Sequence, residues 1–298
     1  LPGNLARLAR GVVHSRRILD RFRPDALFFT GGYVAVPMAV AGMRVPTALY
    51  VPDIEPGLAL KTLARFADRI AVTTEASRNY FPRRSVTVSG YPTRPGLQDW
   101  DRRRALAHFD FSGDLPTLLV FGGSKGARSI NRALLAALPD LLAEMQVIHL
   151  SGALDWEAVS SAREELDADL TRRYWAQPYL HEMGAALAAA DLVVSRAGAS
   201  ILGEYPLFGL PAVLVPYPYA WRYQRVNAGY LAERGAAVIL PDEDLPERLL
   251  PLVRDMIRDP QRRAAMAEAM RSLARPRAAE TIADVLYDLA QPEGRKRK

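Results

Sequence analysis

The sequence predicts an α/β protein built on parallel sheets, and three features lead there. Short β-branched runs alternate with helix-period stretches along the whole chain, the pattern of βα units whose strands pair in parallel. At 298 residues the chain exceeds the usual size of one domain, so two are expected. Between two groups of strands lies Gly90–Gly96, reading GYPTRPG, a turn-rich stretch of the kind that links domains.

The strands expected in the first part are Ala26–Thr30, Thr47–Tyr50, Arg69–Val72 and Val86–Ser89. In the second part they are Thr117–Phe121, Gln146–Leu150, Leu192–Ser195, Ala212–Val215 and Ala237–Ile239. Helix-period stretches between them include Ser129–Leu142 and Gln224–Arg234, the latter closed by Gly235 as a C-cap. The expected division is therefore a small N-terminal domain at 1–92 and an α/β domain at 93–275. A last segment at 276–298, one amphipathic helix and the basic tail Arg295–Lys298, is expected to pack back on the N-terminal domain.

Composition narrows the function classes. With 49% apolar and 24% charged residues the chain has ample material for a core, and no tract reads as disordered. Cysteine is absent, which excludes disulfides and thiolate metal sites. The four histidines, His14, His108, His149 and His181, share no metal-ligand spacing, so no metal site is expected. No apolar run reaches the roughly 18 residues needed to cross a bilayer.

The formal charge of +6 is unevenly placed. Residues 1–92 hold thirteen Lys and Arg against six Asp and Glu, and the remainder is nearly balanced. A basic first third fits an anionic partner surface, or only a solvated helix face. The chain opens on Leu1 inside what reads as a helix in progress, so the N-terminal domain is expected to be incomplete.

That first helix, about Asn4–Phe22, sets Leu5, Leu8, Val12, Leu19 and Phe22 along one stripe, with Arg7, Arg10, Arg16, Arg17, Arg21 and Arg23 around it. Val12, Leu19 and Phe22 are expected to pack on the sheet. Leu1, Leu5 and Leu8, at the far end, are assigned to a lipid surface.

Three strand-to-helix junctions carry the chemistry. Strand Thr117–Phe121 runs into Gly122, Gly123, Ser124, Lys125 and Gly126 and then a helix. Glycines let a backbone approach a ligand closely, and a helix N-terminus offers N–H groups to an anion. After Leu192–Ser195 come Arg196, Ala197, Gly198, Ala199 and Ser200, with Glu204 about a turn further on, where a carboxylate can accept from two vicinal ribose hydroxyls. The third, from Pro216 to Asn227, places Gln224 and Asn227 on one side of a helix start, neutral amides suited to sugar hydroxyls. Singly each loop has a structural reading as a turn or cap. Together, at the carboxyl edge of one parallel sheet, they suggest a nucleotide diphosphate site.

These loops make a family legible. GGYVAVP at Gly31–Pro37, GGSKGARSIN at Gly122–Asn131, SRAGAS at Ser195–Ser200 and PYPYAWRYQRVNA at Pro216–Ala228 stand in the order found in MurG-type N-acetylglucosaminyltransferases of peptidoglycan synthesis. The chain resembles that family over nearly its whole length. The resemblance implies the GT-B fold, two Rossmann-like domains with the N-terminal one incomplete here. It implies UDP-N-acetylglucosamine as donor with no cofactor, and inverting, metal-independent transfer to a lipid-linked muramyl acceptor. It also implies a peripheral place on the cytoplasmic side of the cell membrane, against an anionic surface, with no nucleic-acid partner.

Residue by residue, the resemblance implies that Ser124 and the neighbouring glycines meet the diphosphate, with Arg94 near the phosphates. Leu180, with Met183, would present backbone to the uracil, Glu204 would bind the ribose, and Gln224 and Asn227 the donor sugar. Gly31, Gly32 and Tyr33 would face the acceptor diphosphate. Three departures bear on chemistry. The family's N-terminal glycine-rich loop with its histidine falls outside the chain, Tyr50–Glu55 replaces a His-Glu-Gln-Asn stretch, and Tyr223-Gln224 replaces His-Gln. Asp53 and Glu55 then become the candidate general bases within the chain. A transferase with another acceptor, a UDP-sugar epimerase and a non-catalytic UDP-sugar-binding subunit remain open alternatives.

Overall fold

The computed structural model describes residues 2–219 and 223–291, with side chains described from residue 6 onward. The chain forms two compact units, Leu1–Pro92 with Arg275–Lys298, and Thr93–Ala274.

In the first unit β1 (Leu27–Phe29), β2 (Thr47–Val51), β3 (Arg69–Val72) and β4 (Val86–Val88) pair in parallel in that order. Every residue of β2 is buried, as in a strand covered on both faces. One face packs Leu49, Ile70 and Val72 against Leu19, Leu63 and Phe81. On the other, Ile282 and Leu286 of the helix Ala278–Ala290 cover Tyr50 and Ala71.

The first helix runs Pro2–Phe22 and buries Ser15 and Leu19. Val12 is half-buried, but Phe22 is 78% exposed, which corrects its expected place in the core. Phe22 ends the helix, and Arg23 follows with a left-handed φ of 50° that turns the chain toward β1.

The second unit holds β5 (Thr117–Phe121), β6 (Gln146–Leu150), β7 (Tyr174–Gln177), β8 (Leu192–Ser195), β9 (Ala212–Leu214) and β10 (Ala237–Ile239), all parallel. The strand β7 was not expected from sequence. It is four residues long and follows a charged stretch, and only the adjacent aromatics Tyr174 and Trp175 mark it. The helix Arg128–Leu142 turns Ile130, Leu134, Leu138 and Leu141 to the core at helical spacing, where they meet Leu249, Val253 and Met256 of the helix Leu245–Arg258.

The strand order in this sheet is β10-β9-β8-β5-β6-β7. From β5 the chain builds outward through β6 and β7, then crosses back to add β8, β9 and β10 on the other side. The loops leaving β5 and β8 therefore diverge to opposite faces. A crevice opens between them at the carboxyl edge, the place where open α/β sheets bind ligands.

Candidate functional site

Two cavities flank the loop that leaves β5. The smaller, about 170 Å³, is lined by Arg94, Ser124, Leu180, Met183, Ser200 and Glu204, with Gly123 also at its wall. The larger, about 690 Å³, takes Gly122, Lys125 and Gly126 from the other side of the same loop, with Arg196, Tyr217 and Gln224. Seven of the residues expected to meet a UDP-sugar thus share the smaller cavity, and Gly122, Lys125, Gly126, Arg196 and Gln224 line the larger one.

The loop's shape is set by backbone contact. Gly126 has φ +77°, and a Cβ there would stand 2.0 Å from the Ser151 carbonyl oxygen, so only glycine fits. Just beyond, the helix Arg128–Leu142 begins after Ala127 with no side chain capping it. Its first N–H groups and the positive end of its dipole are left facing the loop. Lys125, exposed, adds a cation at the same place.

Glu204 opens the short helix Glu204–Phe208, one 3₁₀ segment (Ala199–Leu202) after the β8 loop. Burial pushes its carboxyl pKa above the usual glutamate range, while the Arg94 charge and a hydrogen bond from Ser200 act the other way. Arg94 therefore sits with Glu204 at the smaller cavity, rather than apart from it along the linker.

Other expected ligand contacts have protein partners. Arg196 binds Asp242, donates to Ser129 Oγ at 2.7 Å and to the Val215 carbonyl at 3.2 Å, and stacks 5.2 Å from the Tyr217 ring. Its guanidinium ties the loop after β8 to the ends of β9 and β10. Asn227 is fully buried and donates to the Ala197 carbonyl at 3.2 Å, which fixes that loop from behind. Both were expected to touch ligand, and both act in the structure as loop anchors.

Gln224 differs. Its Oε1 accepts from the N–H of Tyr217 at 2.9 Å and of Ala197 at 3.3 Å, so the amide is held with its NH₂ turned from those two groups. Ala197 is buried, whereas Gly198 has open space around its Cα. Ser129 and Asp242 could not be read as partners of Arg196 from spacing, because they lie 67 and 46 residues away.

In the first unit, Gly31 and Gly32 follow β1 with φ of +126° and +85°, and Tyr33 and Val34 are 67% and 90% exposed. Gly11 of the first helix packs near Pro37, so the exposed Leu8, one turn away, lies at the end of the helix pair near this loop. Leu1 and the side chain of Leu5 lie outside the described residues. Of the two carboxylates after β2, Glu55 is buried with Lys61 Nζ 3.7 Å from Oε1, and Asp53 is half-buried. Glu55 is thereby held in an ion pair at the edge of the unit's surface, its partner Lys61 half-exposed. Among the described residues no group of three or more His, Asp or Glu could hold a metal ion.

Residues 117–282 match the glycosyltransferase family 28 C-terminal domain, more than half of the chain. The chain belongs to glycosyltransferase family 28. Among its relatives is the UDP-N-acetylglucosamine–N-acetylmuramyl-(pentapeptide) pyrophosphoryl-undecaprenol N-acetylglucosamine transferase of Roseiflexus sp., which is 44% identical and matches over 96% of this chain and 74% of the relative. Among solved structures, MurG of Acinetobacter baumannii superposes with a TM-score of 0.77 at 27% identity, over 95% of this chain and 80% of that one. The fold class is accordingly GT-B. A UDP-GlcNAc 2-epimerase from Neisseria meningitidis shares the fold at 12% identity and a TM-score of 0.67, over 94% and 81% of the two chains.

The raised pKa of Glu204 has a signed consequence. A carboxyl with a raised folded-state pKa contributes its full stability below its unfolded pKa and loses it as pH rises through the folded value. Glu204→Gln cannot ionise, so the ligand-free variant should gain stability on wild type as pH rises from about 4 to about 8. Melting temperatures across that range check this, and parallel curves for the two proteins would contradict the buried, costly carboxylate.

Proposed function

We propose that this chain transfers N-acetylglucosamine from UDP-N-acetylglucosamine to a lipid-linked muramyl-peptide acceptor, the step from lipid I to lipid II in peptidoglycan synthesis. The observation that carries the reading is the cavity of Arg94, Ser124, Ser200 and Glu204 at the switch point of a family 28 sheet. It is supported by a 44% identical relative bearing that activity in its name.

In this reading the vicinal hydroxyls of the ribose donate to Glu204, and the uracil lies against Leu180 and Met183. The diphosphate rests on the loop Gly122–Ala127. An acceptor hydroxyl attacks the anomeric carbon from the face opposite UDP and inverts it. The anomeric C–O bond breaks with its electron pair going to the β-phosphate oxygen, and the acceptor's proton goes to a base. Helix N–H groups and Lys125 stabilise the charge that grows on UDP. Gln224 offers its NH₂ to hydroxyls of the donor sugar. Asp53 is the proposed base within the chain, because Glu55 is held in an ion pair with Lys61.

Sugar transfer is tested directly by incubating the protein with UDP-N-acetylglucosamine and a lipid-linked muramyl acceptor. Disaccharide product is expected with acceptor, and no N-acetylmannosamine derivative without it. The epimerised sugar as product would favour the isomerase alternative and overturn this one. Glu204→Ala should weaken UDP binding by about 1–3 kcal/mol, the cost of losing hydrogen bonds to a charged group. Calorimetry showing equal affinity in the variant would remove the ribose assignment.

The acceptor's lipid places the protein at a membrane, and we assign the contact to the first unit. No helix among the described residues is long and apolar enough to cross one. The surface there instead offers exposed Leu8, Tyr33 and Val34, with Arg7 and Arg10 beside Leu8. Exposed apolar side chains with arginines next to them in the helix suit the interface of the anionic cytoplasmic leaflet, each Arg adding about 1 kcal/mol of attraction that salt screens. Co-sedimentation should favour vesicles of anionic over neutral lipid, fall at high salt, and fall again in Leu8→Ser/Val34→Ser. Partitioning indifferent to lipid charge, salt and the double variant would contradict this placement.

A further inference from the structure

Behind the β5 loop lies a chain of buried polar groups that the donor reading does not use. Tyr174, at the start of β7, is 1% exposed, His149 in the middle of β6 is 0% exposed, and Asn131 in the first turn of the helix Arg128–Leu142 is 1% exposed. Tyr174 OH lies 2.7 Å from His149 Nδ1, and His149 Nε2 lies 3.0 Å from Asn131 Oδ1. Asn131 Nδ2 donates to the Ser151 carbonyl and to Asp155 Oδ2, both at 2.8 Å. Asp155 Oδ1 accepts from Arg128 Nε at 3.0 Å.

The donor directions follow from counting. Both N–H bonds of Asn131 are used on Ser151 and Asp155, so its oxygen accepts, and His149 must carry its proton on Nε2. Nδ1 then accepts from the Tyr174 hydroxyl. Every group in the row has one assignment, and none is left unsatisfied. Burial lowers the His149 pKa to about 3, so the imidazole stays neutral and keeps this direction at every physiological pH.

What the row holds is specific. Ser151 O, accepting from Asn131, is the atom against which Gly126 of the β5 loop is packed, with room for no Cβ between them. Gly152 lies as close to the same segment, its own hypothetical Cβ falling 2.5 Å from Gly126 N. Arg128 and Asp155, at the far end of the row, line the larger cavity beside Lys125.

We propose that the Tyr174–His149–Asn131 row is a positioning device for the loop Gly122–Ala127, setting how firmly that loop grips a nucleotide's diphosphate. The inference rests on the donor reading above, which puts the diphosphate on this loop. It assigns the row no contact with substrate. Its residues act through Ser151 and Gly126, so their removal should touch the phosphate end of a ligand and spare the nucleoside end at Glu204.

Tyr174→Phe removes one buried hydroxyl and changes no packing volume of note. The test measures affinity for UDP and for uridine by calorimetry in wild type, Tyr174→Phe and Val159→Ala, a buried core change in the same unit. Tyr174→Phe should weaken UDP about three- to tenfold, the worth of one lost hydrogen bond, and leave uridine unchanged. Val159→Ala should leave the ratio of the two affinities at its wild-type value. Equal losses for UDP and uridine in Tyr174→Phe, or none for either, would overturn the positioning role. A wild-type protein that binds UDP no more tightly than uridine would instead overturn the diphosphate assignment itself. Nitrogen NMR shifts of His149 give a further readout, since the Nδ1–H tautomer would contradict the hydrogen-bond direction.

Discussion

The reversal of strand order between β5 and β8 is the constraint on which the candidate site depends. Because β6 lies on one side of β5 and β8 on the other, the loops after β5 and β8 part, and a ligand can reach backbone N–H groups between them. Glu204 on one bank and Gly122–Ala127 on the other are brought together by that reversal, although they are more than seventy residues apart. Their own local structure is short: a five-residue helix for Glu204 and a glycine loop for the rest.

Precision at this edge comes from polar groups that no ligand needs to touch. Arg196 with Asp242 and Ser129 fixes the β8 loop, Asn227 supports it at Ala197, and Asn131 with His149 and Tyr174 backs the β5 loop through Ser151. Buried groups satisfied this completely allow few alternative arrangements. Donor-facing residues are thereby left with little to do but present themselves: Gln224 with its oxygen already bound, and Glu204 with a carboxyl that burial makes costly to ionise until a partner arrives.

How much of this was legible in the sequence depends on the range of each interaction. Strands such as Arg69–Val72, Thr117–Phe121, Gln146–Leu150 and Leu192–Ser195 lie where the apolar runs put them, because a strand buried on both faces needs an unbroken run. β7 escaped notice because Tyr-Trp-Ala-Gln is short and half-polar, and its neighbour β6 supplies what its own pattern lacks. Glycine-rich turns after strands were readable, since positive φ and close backbone approach leave a residue-level mark. The partners of Arg196, Asn131 and His149 were not. A buried Asp, Ser or Tyr many residues away looks in sequence like any surface one. For the same reason Phe22 was misread: the helical stripe is real, but the helix ends at that residue.

A crystal structure of the protein with UDP bound would show whether the β5–β8 edge holds the nucleotide. Both ribose hydroxyls are expected within hydrogen-bond distance of Glu204, and the diphosphate on the N–H groups of the loop Gly122–Ala127 at the head of the helix Arg128–Leu142. UDP seated away from the β5–β8 edge, or with its ribose turned from Glu204, would contradict this placement.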